Sequence, residues 1–193
     1  MLFRSKKSTY SVDDLTKKVG ESLGISDWLE VTQDNINQFA AVTFDDYWIH
    51  TDPERVAKEG VFDTTIAHGF WTLSLLTYFN NQMGIWPSDT VSGLNYGLNK
   101  VRWMSPIPIG SRIRNHVVLK DIRKRGNSRF IATYLCTIEV EGTEKPAMVA
   151  EWLGMVLTEP VYGTSFCRCQ IIASVSVTSP LAPVTRIACI TVF

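Results

Sequence analysis

The sequence predicts an α+β domain. Helix signals crowd the first half of the chain, loosely alternating strand patterns fill most of the second, and one helix is apolar around nearly its whole circumference. At 193 residues the chain has the length of one domain with a core of its own. Nineteen basic residues balance nineteen acidic ones, which argues against nucleic acid or an anionic membrane as the main partner. No run approaches the ~18 apolar residues of a membrane span. The opening MLFRSKKSTYSVDDL has basic residues with no apolar stretch behind them, so a cytoplasmic location is the expectation.

Residues 11–18 carry a helix start, with Ser11 as N-cap, acids in the first turn and lysines at the end. Val19-Gly20-Glu21 breaks it, and residues 28–31 read as a short extended segment. Thr32-Gln33-Asp34 opens a second helix on an apolar stripe of Ile36, Phe39, Ala40 and Ala41, ending near Thr43. Asp52 and Pro53 supply the N-cap and first position of a third, which stops at Gly60. After a loop at 61–66, the apolar positions 70, 71, 73, 75, 76 and 79 cover almost every face of a helix closed by Met83-Gly84. A helix with that pattern belongs in a core.

Beyond Pro87 the pattern changes to strands at 91–103, 112–124, 130–140 and 147–157. A proline-punctuated crossover at 105–110 separates the first two, and turns at 125–128 and 141–145 separate the others, so a long antiparallel meander is expected. From Pro160 onward there is no Asp or Glu, and Arg168 and Arg186 are the charged residues. The expected division is a domain at 1–158 and an atypical appendage at 159–193. Cys136 stands alone in the body while Cys167, Cys169 and Cys189 lie in the tail, a spacing that fits neither a zinc site nor a disulfide framework.

The stretch with chemistry lies between the second helix and the apolar one. It holds Asp45, Asp46, His50, Asp52 and His68. Asp45 and His50 are five apart. A regular helix would set them ~140° apart, so they converge only if the chain turns between them. A carboxylate beside a histidine is a standard pair for activating water. Gly69 follows His68 at the start of the apolar helix, where free N–H groups and the helix dipole suit a polarised carbonyl. Each residue also has a structural reading. Asp45 caps a turn, Asp52 caps its helix, His50 is a hydrogen-bonded structural histidine, and His68 packs with its ring bonded to a nearby carbonyl. A metal site from Asp45, His50, Asp52 and His68 matches no standard ligand spacing. No serine-hydrolase elbow and no phosphate loop is present.

At these residues the chain resembles a known family. FAAVTFDDYWIHTDPERV followed by TTIAHGFWTLSLL is similar to the signature of the MaoC-like hydratases, the (R)-specific enoyl-thioester hydratases and dehydratases. NYGLNKVRW, PIPIGSRIR and EKPAMVAEW resemble the NodN-like, single-domain branch, and the likeness runs in order from about Val12 to Leu157. The resemblance implies a hot-dog fold, a long central helix wrapped by a curved antiparallel sheet, as a homodimer. It places the catalytic pair on Asp45 and His50, the oxyanion donor on the Gly69 N–H, and a supporting hydroxyl on Thr77, with His68 a supporting neighbour.

The implied reaction adds water to trans-2-enoyl thioesters of CoA or acyl carrier protein, or reverses that addition, with no cofactor and no metal. Phe70, Trp71 and Phe79 are the expected walls for the acyl chain, and Lys100 and Arg102 the expected contacts for the carrier's phosphates. The rival activities are thioester hydrolysis on the same fold and a non-catalytic acyl-binding or signalling module. The sequence departs from the family at Phe44, where glycine is usual, and a bulky residue there is expected to narrow the pocket or shift the turn.

Overall fold

The computed structural model of the protein describes residues 8–159, so the tail from Pro160 lies outside the described residues. Five helices and six strands follow in the order α1 (Val12–Thr16), β1 (Ser22–Ile25), β2 (Leu29–Glu30), α2 (Gln33–Thr43), α3 (Trp48–Thr51), α4 (Pro53–Glu59), α5 (Gly69–Met83), β3 (Ser92–Trp103), β4 (Arg112–Lys124), β5 (Arg129–Val140) and β6 (Met148–Leu157). The helix ends are where the local chemistry puts them. Ser11 and Asp14 form a capping box on α1, and the Asp52 carboxylate accepts from Arg55 N–H at 2.9 Å to cap α4. Gly60 and Gly84 close α4 and α5 in the left-handed conformation that glycine adopts without strain. Among the described residues no helix is long and apolar enough to cross a membrane.

All strands pair antiparallel in one sheet, in the order β1-β4-β5-β6-β3, with β2 also on β4. This is the α+β hot-dog arrangement, with α5 on one face of the sheet. Two expectations are corrected. Residues 22–25 form a strand that the pattern does not announce, because it is short, half-exposed and kinked by a register shift at Gly24 (φ +137°). The long meander is also broken. β3 and β4 are consecutive strands yet do not pair, because β3 lies beyond β6 at the edge of the sheet. The crossover between them therefore runs back past the start of α5. There Ala67 N–H donates to Ile107 O at 2.8 Å and Ile109 N–H to Thr65 O at 2.9 Å, a short antiparallel pairing outside the main sheet.

One core joins the helix and the sheet. Trp71, Leu76 and Phe79 from α5 pack with Val117, Leu119 and Tyr134 from the strands, all buried. Within it, Asn115 Nδ2 donates to Asn80 Oδ1 at 3.2 Å, tying α5 to β4 at a fixed height. Cys136 lies beside this pair, and burial pushes its thiol up to about 12, which removes it from thiolate chemistry at neutral pH. α5 is not buried all round, as its pattern predicts. Phe70 is 67% exposed, because the single sheet covers one side of the helix and leaves the side toward the β3 edge open.

Trp86 caps the far end of the core and stands against Gly93 and Gly154, where an added Cβ would come within 2.9 and 3.1 Å of its ring. An indole wedged between strands cannot retreat cheaply. Gly93→Ala is therefore expected to destabilise the fold by roughly 1–3 kcal/mol in urea unfolding. Gly97→Ala on the same strand meets nothing within 4 Å and is expected to be near neutral.

Candidate active site

The chain makes the turn that Asp45 and His50 require. α2 ends at Thr43, with Phe44 as its C-cap in the left-handed conformation (φ 60°, ψ 24°). Asp45 and Asp46 follow without regular structure, and α3 is a single turn that carries His50, its N–H donating to Tyr47 O at 3.0 Å. His50 is then held from three sides. Its Nδ1–H donates to Ile66 O at 2.7 Å, Ile66 N–H donates to Ile49 O at 3.1 Å, and Gln33 Nε2 donates to His50 O at 2.7 Å. Gln33 Oε1 accepts the Thr65 hydroxyl at 2.5 Å, which closes a ring of contacts between α2, α3 and the segment before α5. Gln33 and Thr65 are missed by reasoning from motifs, since nothing local marks a glutamine in the first turn of a helix as a clamp.

With Nδ1 committed to Ile66 O, the neutral imidazole of His50 keeps its lone pair on Nε2. Burial is the main influence lowering the His50 pKa below 6.5. The bond to Ile66 and the Asp45 charge oppose it, and His68 adds to it. His68 is 2% exposed, its Nε2–H donates to the main-chain O of Asp45 at 2.8 Å, and its ring stacks on that of His50 with centroids 3.9 Å apart. One ligating atom from each of Asp45, His50 and His68 lies within 4.8 Å of the others. The triangle suits water better than a cation. Two hydrogen bonds of ordinary length to one water span about 4.6 Å. Two ring planes stacked 3.9 Å apart at 28° do not meet near the rings, so in-plane lone pairs cannot share a point ~2.0–2.1 Å from each nitrogen as zinc requires.

His50 opens on a cavity of about 260 Å³, walled also by Ala67, Gly69, Thr72, Trp103 and Pro106. Gly69 begins α5, so its N–H has no acceptor within the helix. Its lack of a side chain has a packing reason. Trp103 Nε1–H donates to Gly69 O at 2.9 Å, and a Cβ on residue 69 would stand 2.8 Å from that same nitrogen. Trp103 and Thr72 are further wall residues that the motifs do not single out.

The other expected site residues scatter. Thr77 lies eight positions beyond Gly69, about 12 Å along the helix, and no hydrogen bond joins it to Asp45 among the described residues. With Phe70 it lines a separate groove of about 460 Å³ between α5 and β3. Trp71 and Phe79 are core residues, 8% and 0% exposed. Lys100 and Arg102 wall neither of these spaces, and Arg102 Nη1 turns back onto Val101 O at 2.8 Å. Asp52 is the α4 cap.

Phe44 does not narrow the cavity. Its side chain is 90% exposed, and the feature that matters is its backbone, the one positive φ on a non-glycine residue among the described residues. That conformation costs an L-residue roughly 1–2 kcal/mol, and the exposed ring recovers little of it. Phe44→Gly is expected to raise stability by about 1 kcal/mol in urea unfolding, after the greater chain entropy of glycine is counted. Turnover should be retained.

Comparison with known proteins places the chain in a family. Residues 14–140 match the family described as MaoC like domain. The 3-hydroxyacyl-thioester dehydratase Z of Mycobacterium tuberculosis strain H37Rv is 50% identical over 145 residues, covering 73% of this chain and 92% of that protein. Nodulation protein N of Rhizobium leguminosarum bv. viciae is 43% identical over 150 residues, covering 78% and 93%. In fold, the (R)-hydratase from A. caviae involved in PHA biosynthesis superposes with a TM-score of 0.57 over 70% of this chain and 94% of that one, at 21% identity. The family match spans most of the chain, and the clamped turn from Asp45 to His50 falls inside it: this protein belongs to the MaoC-like domain family.

Proposed function

We propose that the chain is a hydro-lyase that adds water to trans-2-enoyl thioesters, carried on CoA or acyl carrier protein, to give (R)-3-hydroxyacyl thioesters, or removes it in reverse. The observation that carries this reading is the state of His50: Nδ1 is tied to Ile66 O, a carboxylate stands within reach, and the ring walls a cavity that begins at a helix N-terminus. The 50% identity to a protein named for 3-hydroxyacyl-thioester dehydration supports it.

In this mechanism a water sits between the Asp45 carboxylate and His50 Nε2. One of the pair takes a proton from the water as its oxygen bonds to C3. The C2=C3 electron pair moves toward the thioester oxygen, which the Gly69 N–H stabilises as negative charge develops. C2 then takes a proton back from the pair, and the charge on oxygen returns to a carbonyl. The separate α5–β3 groove, walled in part by Phe70, whose ring lies tilted against Trp103 with centroids 5.4 Å apart, supplies an apolar surface for the acyl chain.

The working assembly in this proposal is a homodimer through β3. This edge strand leaves Leu94, Tyr96 and Leu98 between 44% and 53% exposed, beside Phe70, on a flank that unpaired sheets ordinarily protect.

Crotonyl-CoA tests the chemistry. Loss of enoyl absorbance without thiol release is the expected result, and thiol release would replace the reading with hydrolysis. Asp45→Asn and His50→Ala are each expected to lower kcat by 10²-fold or more. Because His50 must be unprotonated to accept a proton and its pKa is lowered, the acid limb of kcat/KM is expected to fall below pH 6.5. Light scattering is expected to give a dimer for wild type and a monomer for Leu98→Lys.

A further inference from the structure

His68 is placed as no helix-capping role requires. It occupies the N-cap of α5 yet makes no capping bond, although that position ordinarily selects Ser, Thr, Asp or Asn. It is buried, with Phe39 of α2 against its ring at 5.1 Å. From there it reaches both members of the reacting pair. Its Nε2–H holds the main-chain carbonyl of Asp45, and its ring lies under His50 as a stacked plate. Its own carbonyl accepts from Thr72 N–H and the Thr72 hydroxyl, so the residue is fixed to the first turn of α5.

We propose that His68 is a positioning residue for the hydration step, one that sets the separation of Asp45 and His50 by bonding the backbone of the first and stacking on the ring of the second. This rests on the assignment of Asp45 and His50 as the reacting pair. A carbonyl accepts and cannot donate, so the neutral His68 ring must carry its proton on Nε2, leaving Nδ1 bare. That nitrogen is buried without a partner. His50 is the mirror case, with its proton on Nδ1 toward Ile66. Two stacked imidazoles thus hold opposite tautomers, and the bare nitrogen on the cavity wall is that of His50. A residue that merely filled space would need the ring and not the donor. The buried orphan Nδ1 is a cost that an apolar ring would avoid.

The test uses the full chain and crotonyl-CoA. His68→Gln keeps a donor near the Nε2 position and loses the ring, while His68→Phe keeps the ring and loses the donor. Both are compared with wild type and His50→Ala, and long-range ¹H–¹⁵N spectra of wild type assign the histidine tautomers. The expected result is His68 protonated on Nε2 and His50 on Nδ1, with kcat roughly 10- to 100-fold lower in each folded His68 variant and KM little changed. Turnover lost in His50→Ala but intact in both folded His68 variants overturns the positioning role alone. Turnover surviving in His50→Ala overturns the parent reading and this role with it. Should neither His68 variant fold, the wild-type spectrum decides: a proton on Nε2 of His68 upholds the proposal, and one on Nδ1 overturns it.

Discussion

The site hangs from one short pairing, that of residues 65–67 with residues 107–109. It involves three residues on each side and lies outside the main sheet. It nonetheless fixes the carbonyl of Ile66, which orients His50, and the backbone of Thr65, whose hydroxyl holds Gln33. Without it the segment before α5 would be an ordinary loop, and the acceptor that selects the His50 tautomer would have no set position. The proline-rich crossover suits this task. Prolines at 106 and 108 stiffen the backbone, and the N–H groups they lack are ones the pairing does not use, since its donors are Ala67 and Ile109.

Magnitudes explain how the turn at Phe44 is tolerated. Each hydrogen bond in the clamp is worth on the order of 1 kcal/mol net, and the contacts from Gln33, Thr65, Ile66 and His68 together outweigh the roughly 1–2 kcal/mol of one left-handed residue. The strain sits immediately before Asp45, where the surrounding contacts determine the backbone regardless of which side chain it carries. The buried Asn80–Asn115 bond acts similarly at the other end of α5, setting the height of the helix on the sheet and so the place of Gly69 against Trp103.

Most of the fold was legible wherever a single local signal decides an element. Asp52-Pro53 and Gly60 bound α4, Gly84 ends α5, and the alternation of Ile113, Val117 and Leu119 marks β4, because capping and burial act within a few residues. What was hidden depends on contacts far apart in the chain. The position of β3 beyond β6 follows from the path of the crossover, and no periodicity in β3 records it. The exposure of Phe70 has the same origin. In the site, the turn between Asp45 and His50 could be anticipated from their spacing, and Asp52 as a cap from its neighbour proline. The parts played by Gln33, Thr65, Thr72 and Trp103 could not, since each meets its partner through the tertiary fold. Thr77, suggested by likeness, lines the groove between α5 and β3 and not the cavity beside His50.

The edge position of β3 has a consequence for how the molecule is made. Its strand partner among the described residues is β6, the last strand in sequence, so during synthesis β3 leaves the ribosome well before anything exists for it to pair with. Trp103 ends that strand, so the indole that meets Gly69 sits on a strand whose sheet partner is the last described one to emerge. The His50 clamp draws on residues up to Ile109 and can assemble earlier. The two walls of the cavity therefore draw on different lengths of chain, the histidine side on residues up to 109 and the strand behind the indole side on residues up to 157.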